Sequence, residues 1–274
     1  VGEVISAYAA RVGITTVGDI QTLDVTAGNS LMVSASSDVT NTGNLTLDGT
    51  GFGGPGSLTV FGVFDWNAGT VSGFTPLDIA NGGTINFNTI ATKTLTERML
   101  TIFPFGTANW NEGPIEMTDA AGVTNYGLFD IKSDSTITDP GTGANFQLYS
   151  GILQKSAGTG VSELVGFELE HFGGTVDIQI GTLDVSYGDS FGAISIATGA
   201  KLLINSDDFT LGAGATVTGD GLVHVTDGTL RVDGNVEIPK LTIDGGTLDG
   251  GGIASTGATG LFDWNGGAMF GGGI

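Results

Sequence analysis

The chain has 274 residues, of which 49 are glycine, 40% are hydrophobic and none is cysteine. Its 29 acidic residues outnumber the 8 Lys plus Arg and give a formal net charge of −21, which repels nucleic acids and anionic membranes. No apolar run reaches the roughly 18 residues that a membrane-spanning helix needs. The composition therefore argues against nucleic-acid binding and membrane insertion, and it favours many short strands joined by tight turns.

The N-terminal segment differs from the rest of the chain. ISAYAAR at residues 5–11 is the best helical stretch, and residues 1–20 are expected to form a cap or junction segment. Downstream, apolar and polar residues alternate in short runs, as in GTLDVSY at 181–187, KLLINS at 201–206 and TLRVDG at 229–234. This period of two predicts half-buried strands, with almost no helix.

The motif WNxG occurs three times. It is found at Trp66-Asn67-Ala68-Gly69, Trp110-Asn111-Glu112-Gly113 and Trp264-Asn265-Gly266-Gly267. The tryptophans are 44 and 154 residues apart, or two and seven units of 22. The spacing predicts that the three motifs lie in register, with a superrepeat of 198 residues between the two FDWN sequences.

Further motifs indicate a repeating unit of about 22–24 residues. Gly127, Gly151 and Gly174 precede similar alternating runs, and each glycine follows the previous one by a single unit of this length. The sequences GTLDV from Gly181 and GTLRV from Gly228 are 47 residues apart, or about two units. Repeats of fixed length are typical of solenoid proteins.

The predicted fold is all-β: a right-handed, single-stranded parallel β-helix (β-solenoid) with three strands per coil, about 22–24 residues per coil and roughly 12 coils. Inward residues would stack as ladders, and Gly and Asn would form the corners. We expect one β-helix domain over residues 1–274, as an excerpt of a longer repeat array.

The sequences LTVFGVFDWNAGTVSG, KTLTERMLTIFPFGTANWNEG, NYGLFDIKSD, SGILQKSAGTG and GTLDVSYGDS carry a resemblance. From about residue 45 onward the chain resembles large bacterial surface and extracellular proteins of the adhesin and autotransporter-like type, with pectin-lyase-like right-handed parallel β-helix repeats. The resemblance implies export and a surface-displayed or matrix role. The stretches that carry the resemblance contain no catalytic motif.

The sequence suggests two kinds of binding site. The WNxG tryptophans could be exposed platforms for sugar stacking, although their recurrence in register favours packing at the corners of the coil. Acidic turns at 133–143, 205–209 and 244–252 could bind Ca²⁺, and Asp207 and Asp208 are the best local pair. We expect no other cofactor.

Few residues could support catalysis. Arg231, near Asp227 and Asp233, is the one basic group worth testing as a lyase base, and a surface ion pair is the simpler interpretation. His171 and His224 are too few and too far apart in sequence for a metal site or a triad. We therefore expect no enzymatic activity.

The expected function is that of an extracellular or cell-surface structural or adhesive protein, which builds a stiff stalk, sheath or fibre. Its partners would be copies of itself, joined end to end or laterally, and surface glycans. Two alternatives stay open: a carbohydrate-active β-helix enzyme of the polysaccharide lyase or hydrolase type, and a glycan-binding surface module.

Overall fold

The protein is described by a computed structural model that covers residues 4–6, 22–25, 30–32, 37–39, 41–49, 51–257 and 260–271. Within these residues every regular element is a strand, and there are 35 of them. The strands pair in parallel with strands of the preceding and following turns. The pairing defines three faces, so the predicted three-sided parallel β-solenoid is confirmed.

Face 1 consists of β1 (Val4–Ser6), β2 (Thr22–Val25), β5 (Asn44–Leu47), β8 (Val63–Trp66), β11 (Thr84–Phe87), β14 (Thr107–Trp110), β17 (Leu128–Ile131), β20 (Ile152–Lys155), β22 (Thr175–Ile178), β24 (Ala193–Ile196), β27 (Thr216–Thr218), β30 (Asn235–Glu237) and β33 (Ile253–Ser255). The first eleven of these strands form one continuous sheet, and β30 and β33 follow as a separate pair. The solenoid therefore has about eleven turns, close to the predicted twelve.

Face 2 consists of β3 (Ser30–Met32), β6 (Gly51–Gly53), β9 (Gly69–Ser72), β12 (Lys93–Thr96), β15 (Ile115–Thr118), β18 (Thr136–Thr138), the first parts of β21 (Val161–His171) and β23 (Thr182–Ser190), β25 (Lys201–Ile204), β28 (Leu222–Val225), β31 (Lys240–Ile243) and β34 (Leu261–Trp264).

Face 3 consists of β4 (Ser37–Val39), β7 (Leu58–Val60), β10 (Leu77–Ile79), β13 (Met99–Ile102), β16 (Gly122–Asn125), β19 (Asn145–Leu148), the last parts of β21 and β23, β26 (Asp208–Leu211), β29 (Thr229–Val232), β32 (Thr247–Asp249) and β35 (Ala268–Met269).

The turns vary in length more than predicted. One of the shortest turns of face 1 leads from Thr175 to its partner Ala193, and the longest leads from Leu128 to Ile152. The short turn contains β23, which runs from face 2 into face 3 without an intervening loop. The long turn has separate corner loops on both sides of β18. Corner length therefore sets the length of each turn, and the predicted range was too narrow at its lower end.

Similar motifs that are far apart in sequence lie on neighbouring faces. Trp66 ends β8 on face 1, whereas Trp264 ends β34 on face 2, nine turns and one strand later. Likewise GTLDV lies on face 2 and GTLRV on face 3. We predicted that the members of each pair are separated by whole turns, which was wrong. The 198-residue spacing is therefore not nine whole turns either. The repeated unit is a strand with its corner, and more than one of the three corners can use it.

Whole-turn spacings are found at shorter range. The stretch from Trp66 to Trp110 is two turns, because both residues pair with Phe87. Gly127, Gly151 and Gly174 stack at the corner between faces 3 and 1, where a Cβ on each later glycine would approach the carbonyl oxygen of the previous one within 2.5 Å. The predicted spacing of one turn between these three glycines is confirmed.

The core is a set of inward ladders that run along the axis. One row on face 1 contains, from turn to turn, Leu47, Trp66, Phe87, Trp110, Ile131, Lys155, Ile178 and Ile196. The apolar members are at most 1% exposed. Alternation of buried and half-buried residues along the strands follows directly from the pleat of a strand.

The expected helix at 5–11 is contradicted at its start. Ile5 and Ser6 belong to β1, which pairs in parallel with β2. The rest of that stretch, and most of the predicted cap at 1–20, lie outside the described residues. None of the described residues forms a helix that could cross a membrane.

Candidate functional site

Trp66 and Trp110 are packed inside the solenoid. Both indoles are 0% exposed, and Phe87 separates them in the same inward row. Each indole Nε1 donates a hydrogen bond to the glycine carbonyl that ends its own motif, at 3.2 Å to Gly69 and 2.6 Å to Gly113. Rings in this position cannot stack on a sugar, so these two motifs pack the core.

All three WNxG motifs form corners with the same hydrogen-bond pattern. The backbone N–H groups of the Asn and of the next residue donate to a single carbonyl one turn back, which belongs to Leu47, Phe87 or Ile243. The Asn side chain also donates to the preceding turn, from Asn67 to Asp48, from Asn111 to Asn88 and from Asn265 to Asp244. The closing glycines Gly69, Gly113 and Gly267 have φ of 89°, 73° and 81°, which side chains with a Cβ rarely adopt.

Trp264 differs from the other two tryptophans. It pairs with Ile243 on face 2, and its side chain is 53% exposed. The prediction of one register for all three tryptophans was therefore wrong for Trp264. Because a WNxG corner needs only a preceding turn to bond to, the motif does not specify which face it follows.

Asp207 and Asp208 lie at the corner between faces 2 and 3, where they line a shallow open cleft with Tyr187. In the part of the chain that the structure describes, no three His, Asp or Glu side chains are grouped so that they could hold a metal ion. The pair supplies two carboxylates to the cleft. Ca²⁺ binding there stays a prediction.

The acidic turn at 133–143 uses its carboxylates internally. Asp139 accepts hydrogen bonds from the backbone N–H groups of Gly141, Thr142, Gly143 and Ala144, at 2.7–3.0 Å, and from the Thr142 hydroxyl at 2.6 Å. Burial raises the pKa of Asp139, but these hydrogen bonds outweigh it and hold the pKa below its usual value. Asp139 therefore organises the loop.

Three of the seven Lys and Arg side chains that the structure describes are buried, which the sequence analysis missed. Lys155 occupies the inward row of Trp110, and its Nζ donates to Asp134 Oδ1 at 2.9 Å and to Ser162 Oγ at 2.7 Å. Lys93 Nζ donates to the carbonyls of Thr89 and Glu112. Burial lowers the pKa of Lys93 to about 8. The alternation of the strand places Lys155 inward, so its burial could have been predicted.

Arg98 ties three turns together. Its guanidinium donates to the carbonyls of Ser72 and Pro76, one turn back, and to those of Gly54 and Gly56, two turns back, at 3.0–3.4 Å. It also lies over the Phe52 ring, 5.1 Å from the centroid. Burial lowers the pKa of Arg98 to about 10. All three buried cations thus donate hydrogen bonds to groups of the solenoid itself.

Arg231 forms surface ion pairs. Its Nε lies 2.8 Å from Asp233 Oδ2, and its Nη1 lies 3.8 Å from Asp249 Oδ2. The structure thus brings Arg231 to Asp233, as predicted, and to Asp249. The predicted neighbour Asp227 forms no recorded ion pair with Arg231. This arrangement fits the ion-pair interpretation.

The two histidines lie apart, as their spacing suggested. His171 points inward on face 3, where Nδ1 is 2.9 Å from Ser190 Oγ and Nε2 is buried without a partner. Burial lowers the pKa of His171. His224 lies on the outer side of face 2, between Lys201 Nζ at 3.2 Å and Asp244 Oδ2 at 2.7 Å.

Glu163 and Asp184 are direct neighbours in adjacent turns of face 2. Burial, with a smaller contribution from the Glu163 charge, raises the pKa of Asp184 to about 6. Asn205 donates a hydrogen bond to Asp184 Oδ2 at 2.7 Å. Two neighbouring carboxyl groups, one of them with a raised pKa, are an arrangement that acid–base catalysis can use.

A row of aromatic side chains runs along the corner between faces 3 and 1. This aromatic row consists of Phe103, Tyr126, Tyr149, Phe172 and Phe191, each of which directly follows a face-3 strand and donates its backbone N–H to the turn before. Tyr149 stacks on Tyr126 and on Phe172, with centroid distances of 5.1 and 5.0 Å. Phe103, Tyr149, Phe172 and Phe191 are 37–47% exposed.

The comparisons with known proteins are sparse. No protein-family model matches the chain, and no curated protein matches it. Among solved structures, it is similar to the crystal structure of a TibC-catalysed hyper-glycosylated fragment of TibA, with 12% sequence identity, a TM-score of 0.31, and coverage of 94% of this chain and 98% of that chain. A TM-score this low does not establish a shared fold.

Proposed function

We propose that the chain is a non-catalytic structural or adhesive segment of an extracellular bacterial surface protein, where it acts as a stiff rod. The observation that supports this best is the parallel ladder itself, which continues through eleven strands of face 1. Along most of the described length each turn is hydrogen-bonded to the next on three sides, so bending would distort many bonds at once. At about 4.8 Å per turn the rod is roughly 50 Å long.

The charge distribution supports display in an aqueous, extracellular setting. Three buried cations, Lys93, Arg98 and Lys155, are matched in number by the buried aspartates Asp130, Asp139 and Asp184. The acidic excess behind the net charge of −21 therefore lies at the outer surface. A strongly anionic rod stays soluble and avoids anionic polymers. Assembly with further copies, end to end or laterally, and contact with surface glycans are part of the proposal.

The rod can be tested directly. Small-angle X-ray scattering of the purified chain should give an elongated particle, and electron microscopy should show rods or filaments. Incubation with polyuronates and neutral polysaccharides should release no products. A compact particle would contradict the mechanical role, and product release would contradict the non-catalytic role.

A second candidate function, polysaccharide hydrolysis, is favoured by the neighbouring carboxyl groups of Glu163 and Asp184. Glycosidases use two carboxyl groups whose pKa values differ, and a raised pKa suits the one that acts as the acid. If the chain releases sugar products, Asp184→Asn should abolish the release. Arg231→Ala, at an exposed ion pair away from these groups, should leave it unchanged.

A further inference from the structure

The three central rings of the aromatic row, Tyr126, Tyr149 and Phe172, present their edges to the solvent. Rings whose centroids are 5.0–5.1 Å apart are too close to lie side by side in one plane, so Tyr126, Tyr149 and Phe172 face one another. The interplanar angles of 13° and 27° agree with this. The neighbouring rings cover both faces of Tyr149 and one face each of Tyr126 and Phe172. A sugar therefore cannot stack on the centre of the row, where the exposed edges form an apolar strip instead.

Polar and acidic side chains flank the strip on face 3. Gln147, Glu170 and Asp189 each precede an aromatic residue by two positions, so they lie on the same outer side of their strands. They are direct neighbours in consecutive turns, and Gln147 Nε2 donates to Glu170 Oε2 at 2.6 Å. On the other side, Ile152 begins a face-1 strand and is 41% exposed, which widens the apolar strip.

We propose that the aromatic row and its acidic flank bind a basic amphipathic helix of a partner protein. The inference deepens the proposed adhesive role and rests on it. The apolar stripe of such a helix would lie along the ring edges, and lysine or arginine side chains beside the stripe would reach Glu170 and Asp189. An extended strand fits less well, because its cationic side chains would point away from the rod.

The length of the aromatic row and the negative charge of its flank both favour a basic helix as the partner. Five rings at about 4.8 Å per turn span roughly 19 Å, which is the length of about 13 helical residues. Contiguous exposed apolar surface of this kind marks interaction sites. A second copy of this chain would bring more negative charge to an acidic flank, whereas a cationic helix neutralises it.

The test uses a peptide of about 14 leucine and lysine residues whose leucines recur at helical spacing. Isothermal titration with the full chain should show binding. A peptide with glutamate in place of lysine should not bind, and a scrambled leucine–lysine peptide should bind more weakly. Tyr149→Ser should weaken binding about tenfold and Glu170→Gln about threefold. The matched control Phe74→Ser alters a ring that is 85% exposed on another corner and should change nothing.

Several results would overturn the proposal. Equal affinity for the scrambled peptide, or unchanged affinity after Tyr149→Ser, would mean general attraction to an acidic rod. Binding of a neutral oligosaccharide that Tyr149→Ser abolishes would identify a glycan site. If Tyr149→Ser does not fold, Glu170→Gln, whose side chain lies outside the core, decides the question. Rod shape by scattering is independent of all these results, so the proposed function can hold while this inference fails.

Discussion

Lys155 lies in the inward row of Trp110, yet its Nζ reaches Asp134 Oδ1 in the preceding corner at a distance of 2.9 Å. The ammonium is buried, whereas the Asp134 side chain is 37% exposed. A charged group thus stands where Ile131 and Ile178 stand in the neighbouring turns. The solenoid tolerates it because the corner supplies hydrogen-bond acceptors.

This arrangement predicts opposite effects for its two partners. Asp134→Ala should lower the free energy of unfolding by about 1–3 kcal/mol, because the buried ammonium loses its counter-charge. Lys155→Ile should be neutral or stabilising, because it continues the apolar row and Ser162 still donates to Ser133 O. Urea denaturation of both variants checks this. Equal losses would show instead that the ion pair itself stabilises the fold.

The tryptophans of the WNxG motifs should differ in their contribution to stability. Trp110→Ala should cost about 3–5 kcal/mol, because it opens a cavity in a fully buried row. Trp264→Ala in this chain should cost less than about 1 kcal/mol, because β34 is the last described strand of face 2 and the Trp264 side chain is 53% exposed there. Thermal unfolding followed by circular dichroism measures both. A large loss for Trp264→Ala would mean that its indole is covered in solution.

Asp139 should make stability depend on acid pH. Because its folded pKa lies below the unfolded value of about 3.9, its contribution is complete above that pH and is lost as the pH falls through the folded pKa. Asp139→Asn replaces one acceptor oxygen with a donor and should cost about 1–3 kcal/mol at pH 7. The melting temperatures of the two proteins should converge toward pH 2. A constant difference at all pH values would contradict the role of the carboxylate.

His171 should destabilise the protein on mild acidification. Its folded pKa lies below the unfolded value of about 6.5, so the unfolded chain binds the extra proton, and stability falls as the pH drops below about 6.5. His171→Leu places a leucine beside Leu148 in the same inward row and removes the imidazole that would take up the proton. The variant should lose less melting temperature than the natural protein between pH 7.5 and about 5.5. If both proteins lose the same melting temperature over this pH range, groups other than His171 cause the acid destabilisation.

The alternation of the sequence was enough to predict the strands. Lys155 and His171 both occupy inward positions in this pattern, so the alternation of their own strands would have placed them inside the solenoid. Spacings of one or two turns, as between Gly127 and Gly151, also emerged from the sequence. Both features depend on the local pleat and on neighbouring turns, so they leave a direct trace in the order of residues.

The face to which a motif belongs could not be predicted. Trp66 and Trp264 have the same local sequence and the same corner hydrogen bonds, yet they lie on faces 1 and 2. Their relative position depends on the sum of all intervening corner lengths, and single corners such as the loop-free one in β23 change that sum. Small local differences therefore accumulate along the axis.

The sequence by itself determined that this chain is a parallel solenoid with an acidic exterior, because pleat, charge and repeat are properties of local order. Only the tertiary structure decided that Tyr126, Tyr149 and Phe172 form one exposed stack and that Lys155 reaches Asp134. Those contacts join residues that are a whole turn apart in sequence, and the winding of the backbone brings them together.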